Sequence, residues 1–253
     1  MLRLQGKRAL ITGASGGIGE ATARRFLQEG ASVTLAARGE DKLAALAERL
    51  DGPVSTCIAD ISSEADCEKL AAFVKEQHGG LDIIFANAGF EGSIKPLLTI
   101  EQSEFDAVQA TNVRGTWLTM KHCVPLMLDA GGSVIVTSSV AGKVGVPGLG
   151  AYAASKHALI GLVEVAALEL AESGVRVNAV APAPVDNAMM RSIEQQAAPG
   201  AAHEAKAGFE SLNAMKRYAT NEEVAAMVAF LAADESSFCT GAVFPVDGGF
   251  LAQ

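Results

Sequence analysis

The chain runs to 253 residues, 49% hydrophobic and 19% charged. That is enough apolar material for a large folded core and too little charge for a disordered chain. The formal net charge of −9 repels phosphate backbones and anionic lipid, which argues against nucleic acid or a membrane face as partner. Four widely spaced cysteines, Cys57, Cys67, Cys123 and Cys239, form no Cys-x-x-Cys pair and fit a reduced, cytoplasmic setting. The first twelve residues carry only a short apolar run, Ala9–Ile11, and the greasy stretch Ala158–Ala171 is interrupted by Glu164 and Glu169. Neither a signal peptide nor a bilayer-spanning helix is therefore expected.

In chain order, short β-branched runs alternate with helix-length segments. Strands are predicted at Arg8–Thr12, Ser32–Ala37, Val54–Ala59, Asp82–Ala86 and Ser133–Ser138, with helices at Gly17–Glu29, Glu40–Leu50, Glu64–Gln77 and Glu101–Met127. The alternation continues with a helix over about 151–173, a strand at Val175–Ala181, a helix at Asn221–Ala232 and a last strand near Ala242–Val246. Runs such as Ile83–Ala86 and Val134–Val136 are apolar almost throughout, as strands buried on both faces are. The expectation is one α/β domain over residues 1–253, a doubly wound, Rossmann-type and mostly parallel sheet of seven strands flanked by helices. The segment Asp186–Arg217 lacks a strand and mixes Met189, Met190, Ile193, Phe209 and Met215 with small and charged residues. A connection this long in a compact domain is usually functional, and 186–217 is read as a helical excursion covering a substrate pocket.

Between the first strand and first helix lies Thr12-Gly13-Ala14-Ser15-Gly16-Gly17-Ile18-Gly19. Glycine lets a backbone turn sharply and approach a ligand closely, and a helix N-terminus offers unpaired N–H groups and a positive dipole end. Gly13, Ser15, Gly17, Ile18 and Gly19 are thus expected to cradle a pyrophosphate. About twenty residues further on, a carboxylate would suit the ribose of NAD and a basic residue the 2′-phosphate of NADP. The chain reads Leu35-Ala36-Ala37-Arg38, and a guanidinium grips phosphate with two parallel hydrogen bonds, so NADP is preferred. Glu40 and Asp41 follow closely and keep NAD possible.

Thr12–Gly19, Asp60, Asn87-Ala88-Gly89, Asn112, Ser139, Tyr152-Ala-Ala-Ser-Lys156, Asn178, Pro182 and the closing Gly241–Gly249 stretch occur in one order along the chain. Together they resemble the short-chain dehydrogenase/reductase family, single-domain type, over essentially the whole length. The resemblance implies that Asp60 and Ile61 meet the adenine and that Asn87, Ala88 and Gly89 support the sheet beside the adenine ribose. It also implies that Pro182, Val185 and Asn187 lie at the nicotinamide carboxamide. Helix N-capping near Ser63 is the plainer reading of Asp60. Two positions depart from the family pattern: Ala183 follows Pro182 where glycine is common, and Asn187 stands where threonine is usual.

Tyr152 and Lys156 are four apart in a predicted helix and share a face. A phenol normally titrates near 10, and an adjacent ammonium, with an oxidised nicotinamide, favours the phenolate and lowers that value. Tyr152 can then act as general acid toward a carbonyl, or as base toward an alcohol. The resemblance gives Lys156 the nicotinamide ribose as well, and gives Asn112 a water linking Lys156 to solvent. Ser139, ending the fifth strand, is expected to donate to the substrate oxygen, with Ser138 as the adjacent candidate.

Phe90, Ala141, Val146, Pro147, Ala183, Met189, Met190 and Phe209 are the pocket candidates, and they predict an apolar site for a small-molecule ketone, cyclic alcohol, steroid or aryl carbonyl. His78, His122, His157 and His203 show no metal-ligand spacing, so no catalytic metal is expected. The resemblance further implies a homotetramer built on the 101–127 and 151–173 helices. The competing readings are an NAD-dependent dehydrogenase of a cyclic or steroid alcohol, a C=C reductase, and a catalytically silent nucleotide sensor. The Tyr-x-x-x-Lys spacing with Ser139 argues against the last two.

Overall fold

A computed structural model describes residues 2–252. Seven strands are β1 (Arg8–Thr12), β2 (Ser32–Ala37), β3 (Val54–Ile58), β4 (Ile83–Ala86), β5 (Gly132–Thr137), β6 (Val175–Pro182) and β7 (Val243–Val246). They form one sheet in the order β3-β2-β1-β4-β5-β6-β7, and every pairing is parallel. The chain crosses from β3 at one edge to β4 beside β1, so the strand order reverses there. A crevice opens beyond the carboxyl ends of β1 and β4 at such a reversal.

The near-continuous hydrophobicity of the strands has a simple cause. Successive side chains point to opposite faces. Ile11, Val33, Leu35, Ile83, Phe85 and Ile135 enter one buried cluster; Leu10, Ala36, Ile84, Val134 and Val136 enter the other. The first cluster is closed by helices α1 (Gly17–Gln28), α2 (Glu40–Glu48) and α9 (Asn221–Ala232), through Phe26, Leu43, Val224 and Val228. The second is closed by α3 (Glu64–His78), α5 (Gly115–Cys123) and α6 (Gly150–Leu170), through Leu70, Met120, Leu159 and Val163. Each fully buried side chain of this size contributes about 1.5–3 kcal/mol, so two filled faces account for the sheet's stability.

Local signals set the helix ends. Ser63 caps α3, accepting from the Asp66 N–H, and Gly79 closes it in the left-handed region. That corrects the capping reading of Asp60, whose side chain is turned to Ser62 instead. Thr220 and Glu223 form a reciprocal capping box on α9. The long helix expected over 101–127 is broken into α4 (Gln102–Gln109), a π-helical turn (Ala110–Arg114), α5 and a short 3₁₀ turn (Val124–Leu126). The π turn carries Asn112, whose side chain bonds the Phe90 backbone, and single π turns inside α-helices are frequent at functional sites.

Between β6 and α9, the 186–217 segment folds as α7 (Ala188–Ala197) and α8 (Ala202–Ser211). Its two ends meet in an isolated parallel bridge, Val185 to Ala219. Residues 150–173 are long and apolar enough by composition to cross a bilayer. Here they pack along β6 and bury Leu159, Val163 and Ala167 in the core.

Candidate active site

The glycine-rich turn leaves β1 at Thr12 and enters α1 at Gly17. Gly13 has φ +63°, and a Cβ there would fall 2.7 Å from the Ala88 Cα. A Cβ on Gly19 would fall 2.4 Å from the Gly13 carbonyl oxygen. Both glycines are therefore required by close backbone approach. No side chain caps α1 at Gly16, so the amide groups of its first turn are free of side-chain acceptors. Asn87 braces the turn: its Nδ2 donates to the Thr12 and Gly13 carbonyls at 3.3 Å each, and its Oδ1 accepts from the Thr137 hydroxyl at 3.0 Å. A shallow cradle edged by a bare helix start suits a pyrophosphate.

Toward β2 and β3 the cleft is bordered by Ser15, Arg38, Glu40, Asp41, Asp60, Ile61, Ala88 and Gly89. Arg38 is exposed just past β2 and makes no hydrogen bond or ion pair among the described residues. Asp60 Oδ1 accepts from the Ser62 N–H at 2.9 Å and hydroxyl at 2.7 Å. Burial pushes its carboxyl up, but the two Ser62 bonds and the Arg38 and Arg114 charges outweigh it, holding Asp60 below the usual range.

Tyr152 and Lys156 lie in the first turns of α6, both buried, with the Lys156 Nζ 5.4 Å from the centre of the Tyr152 ring. Lys156 donates to the Thr137 carbonyl at 2.7 Å. Ser139, following β5, accepts from the Ala141 N–H at 3.1 Å, donates to the Pro182 carbonyl at 3.4 Å and lies beside the Tyr152 hydroxyl. Ser138 faces the other way and donates to the Lys156 carbonyl at 3.0 Å, so alternation selects Ser139. Burial lowers Lys156 to about 8. It raises Tyr152 to about 12, against a smaller opposing effect of Ser139. The expected lowering of the phenol by its neighbouring lysine is thus corrected for the free protein. Desolvation of both groups dominates, and the ammonium is bonded to a carbonyl instead of the phenol.

Asn112 is fully buried in the π turn. Its side chain accepts from the Phe90 N–H and donates to the Phe90 carbonyl and the Ser155 hydroxyl, each at 3.0 Å. A Cβ on Gly89 would lie 3.1 Å from Asn112 Oδ1 and 3.5 Å from Lys156 Nζ, so the three residues form one corner of the cleft.

Beyond Tyr152 the cleft becomes apolar. Ala141, Val146, Ala183, Met189, Met190 and Phe209 line it as expected. Phe90 instead borders the Arg38 side, and Pro147 lines neither part. The positions not expected from sequence include Leu149, Ile193, Leu212 and Phe250. Ile193 could have been found as i+3 and i+4 from Met190 and Met189 on one helix face; Phe250 gave no local signal. Pro182, Val185 and Asn187 also line the cleft. The Asn187 side chain caps α7, accepting from Met189 at 3.1 Å and Met190 at 3.4 Å, so its oxygen is committed to the helix. Glu64, Glu68 and His122 place ligand atoms within 4.8 Å of one another on α3 and α5, but none lines the cleft and Glu64 is paired with Lys121.

A family profile described as enoyl-(acyl carrier protein) reductase matches residues 13–251, nearly the whole chain. The chain belongs to the short-chain dehydrogenase/reductase family. As a short-chain dehydrogenase it is an NAD(P)-dependent oxidoreductase, and the glycine turn, bare helix start and Arg38–Asp60 border fit such a dinucleotide. Levodione reductase of Leifsonia aquatica is 36% identical over 98% of this chain and 95% of its own length. Glucose 1-dehydrogenase of Gluconobacter oxydans is 40% identical over 98% of this chain and 92% of its own. The levodione reductase crystal structure superposes with TM-score 0.97 at 36% identity, covering 99% of both chains. Carveol dehydrogenase of Mycobacterium avium, in complex with NAD, superposes with TM-score 0.94 at 31% identity over both full chains.

Proposed function

We propose that this short-chain dehydrogenase interconverts an apolar ketone and its secondary alcohol, with NADP(H) as preferred partner. The observation that carries the reading is the Ser139–Tyr152–Lys156 group between a dinucleotide cradle and an apolar pocket. When bound, a nicotinamide dinucleotide would supply or take the hydride; Gly13, Ser15, Gly17, Ile18 and Gly19 would hold its phosphates, Asp60, Ile61, Ala88 and Gly89 its adenosine half, and Lys156, Pro182, Val185 and Asn187 its nicotinamide end. In reduction Tyr152 gives its proton to the carbonyl oxygen while Ser139 donates a hydrogen bond to the same oxygen. With the phenol raised to about 12, Tyr152 is in the acid form at neutral pH, as reduction needs. Alcohol oxidation needs the phenolate and speeds up as pH rises. Asn112 acts on this group by holding Phe90 and Ser155 in place.

Polar groups gather at one end of the pocket, Ser139, Tyr152 and Lys156, while apolar side chains including Val146, Leu149, Met189, Met190, Ile193 and Phe209 line the remainder. A sugar would leave several hydroxyls unpartnered there, each costing about 1–3 kcal/mol, so the levodione and carveol enzymes are better guides to substrate than the glucose enzyme. The Tyr-x-x-x-Lys pair with Ser139 favours C=O over C=C reduction.

NADP preference rests on Arg38, exposed and unpaired beside Ser15 and Gly16. Glu40 and Asp41 border the same lobe and support NAD as the second reading. Titrating purified protein with NADPH and NADH, following cofactor fluorescence, tests this; tighter NADH binding removes Arg38 as phosphate reader. The same titration is continued with a ketone panel. A homotetramer built through α4, α5 and α6 is also proposed, supported by exposed Phe105, Trp117, Val165 and Leu168. Light scattering giving a monomer mass would reject it.

A further inference from the structure

Behind the substrate wall lies a buried polar pair that the chemistry does not use. Glu194, on α7, is 3% exposed, and Tyr218 is 5% exposed. The Tyr218 hydroxyl donates to Glu194 Oε1 at 2.9 Å. Arg191 NH2 lies 3.0 Å from the same oxygen and 3.0 Å from Asp186, as charge contacts not aligned for hydrogen bonding. The Arg191 guanidinium and the Lys206 ammonium stand 5.6 Å and 5.4 Å from the Tyr218 ring. A polar side chain taken out of water is kept only where its partners compensate for the solvent it has lost.

The position of the pair on the chain gives it a purpose. Tyr218 follows the excursion and adjoins Ala219, which is bonded to Pro184 and Asp186 at the end of β6. Glu194 is one residue from Ile193 and one helical turn from Met190, both of which line the pocket. The Tyr218 ring packs in one buried cluster with those two side chains. The bond therefore spans from the fixed base of the excursion to the helix that forms its substrate face. The α7 helix is also held at its start by the Asn187 cap and the Arg191–Asp186 contact, and at its end by Gln196, whose exposed side chain accepts from the Ile94 N–H at 3.1 Å and donates to the Gly92 carbonyl at 3.4 Å. Water competes for those outer bonds and not for the inner one.

We propose that Tyr218 is a positioning residue for the substrate: its hydrogen bond to Glu194 pins α7 so that Met190 and Ile193 form a fixed pocket wall. The reacting groups sit just after β5 and on α6, outside the pinned unit, so the pin governs substrate fit and not the proton transfer. The kinetic consequence, a KM effect with kcat preserved, rests on the ketone reading; the conformational consequence does not. Burial and the Glu194 acceptor raise the Tyr218 phenol above its ordinary value, which keeps it protonated as donor.

The test compares wild type with Tyr218→Phe and Glu194→Gln by hydrogen exchange on the full chain and by steady-state kinetics with cyclohexanone and a bulkier decalone. In Tyr218→Phe, amides of 188–197 exchange about tenfold faster while those of β5 and α6 hold, as loss of one buried hydrogen bond predicts. KM for both ketones rises several-fold to about tenfold with kcat within about twofold, and the small-to-bulky preference narrows. Glu194→Gln retains the acceptor oxygen and stays near wild type in both readouts. Unchanged exchange in α7 of Tyr218→Phe overturns the proposal. So does a uniform rise in exchange across the sheet, or equal loss of kcat for both ketones. A wild type that turns over neither ketone contradicts the proposed function, while the exchange result still decides the pin.

Discussion

At the scale of single residues, the reacting groups are where an i, i+4 spacing puts them, on one face of α6. Their identities and mutual placement were legible; their acidity was not, because it depends on burial by β5, β6 and the loop after Ser139. That burial has a consequence for stability. Lys156 titrates near 8 folded against 10.5 ordinarily, so the unfolded chain holds more protons between those values. Stability gains a rising contribution from Lys156 as pH climbs from 8 toward 10.5. Tyr152, raised from 10 to about 12, works against it above pH 10. Comparing melting temperature against pH for wild type and Lys156→Met checks this. Between pH 8 and 10 the wild type gains relative to the variant, and parallel curves reject the buried-ammonium account. Asn187 and the Glu194–Tyr218 pair were illegible as such, since a cap and a buried partner are visible only once the turn and its neighbours exist.

At the scale of elements, strand and helix positions followed the alternation of apolar runs, and the ends matched to within a residue or two at most strands. The 101–127 helix did not, because the π turn is driven by a tertiary need: Asn112 must satisfy the Phe90 backbone and Ser155. Asn112→Ala strips three buried hydrogen bonds at once and is expected to cost about 2–4 kcal/mol by urea unfolding, with Asn112→Ser no full rescue. A loss below about 0.5 kcal/mol would mean the turn is held by packing alone. The cap on α7 makes a separate prediction. Asn187→Ala removes an N-cap worth about 1 kcal/mol and raises KM more than it lowers kcat, whereas Asn187→Thr, still a capping residue, stays close to wild type. Equal behaviour of the two variants would separate the cap from substrate binding.

Across the whole molecule, two buried clusters on opposite faces of one parallel sheet explain why the strands read as continuous apolar runs. The strand order then opens the crevice between β1 and β4, where the glycine turn and Arg38 meet. The crevice was legible from the turn and its place after the first strand; Phe250, which reaches the pocket from the far end of the chain, was not. Ligand that binds only the folded state stabilises it, by about 2.7 kcal/mol at a hundredfold excess over Kd. NADPH should therefore raise the melting temperature more than NADH at equal concentration, and Arg38→Ala should erase the difference. An unchanged NADPH preference in that variant would assign the phosphate to another group.

In the proposed reaction Tyr152 passes a proton to a ketone at the end of the apolar pocket. The most direct measurement follows NADPH consumption on addition of cyclohexanone, in wild type and in Tyr152→Phe, with NADPH affinity measured alongside. Wild type turns over the ketone, and Tyr152→Phe keeps its NADPH affinity while its rate falls by about 10²-fold or more. Full activity in Tyr152→Phe, or cofactor binding by wild type with no turnover of any ketone or alcohol, would contradict it.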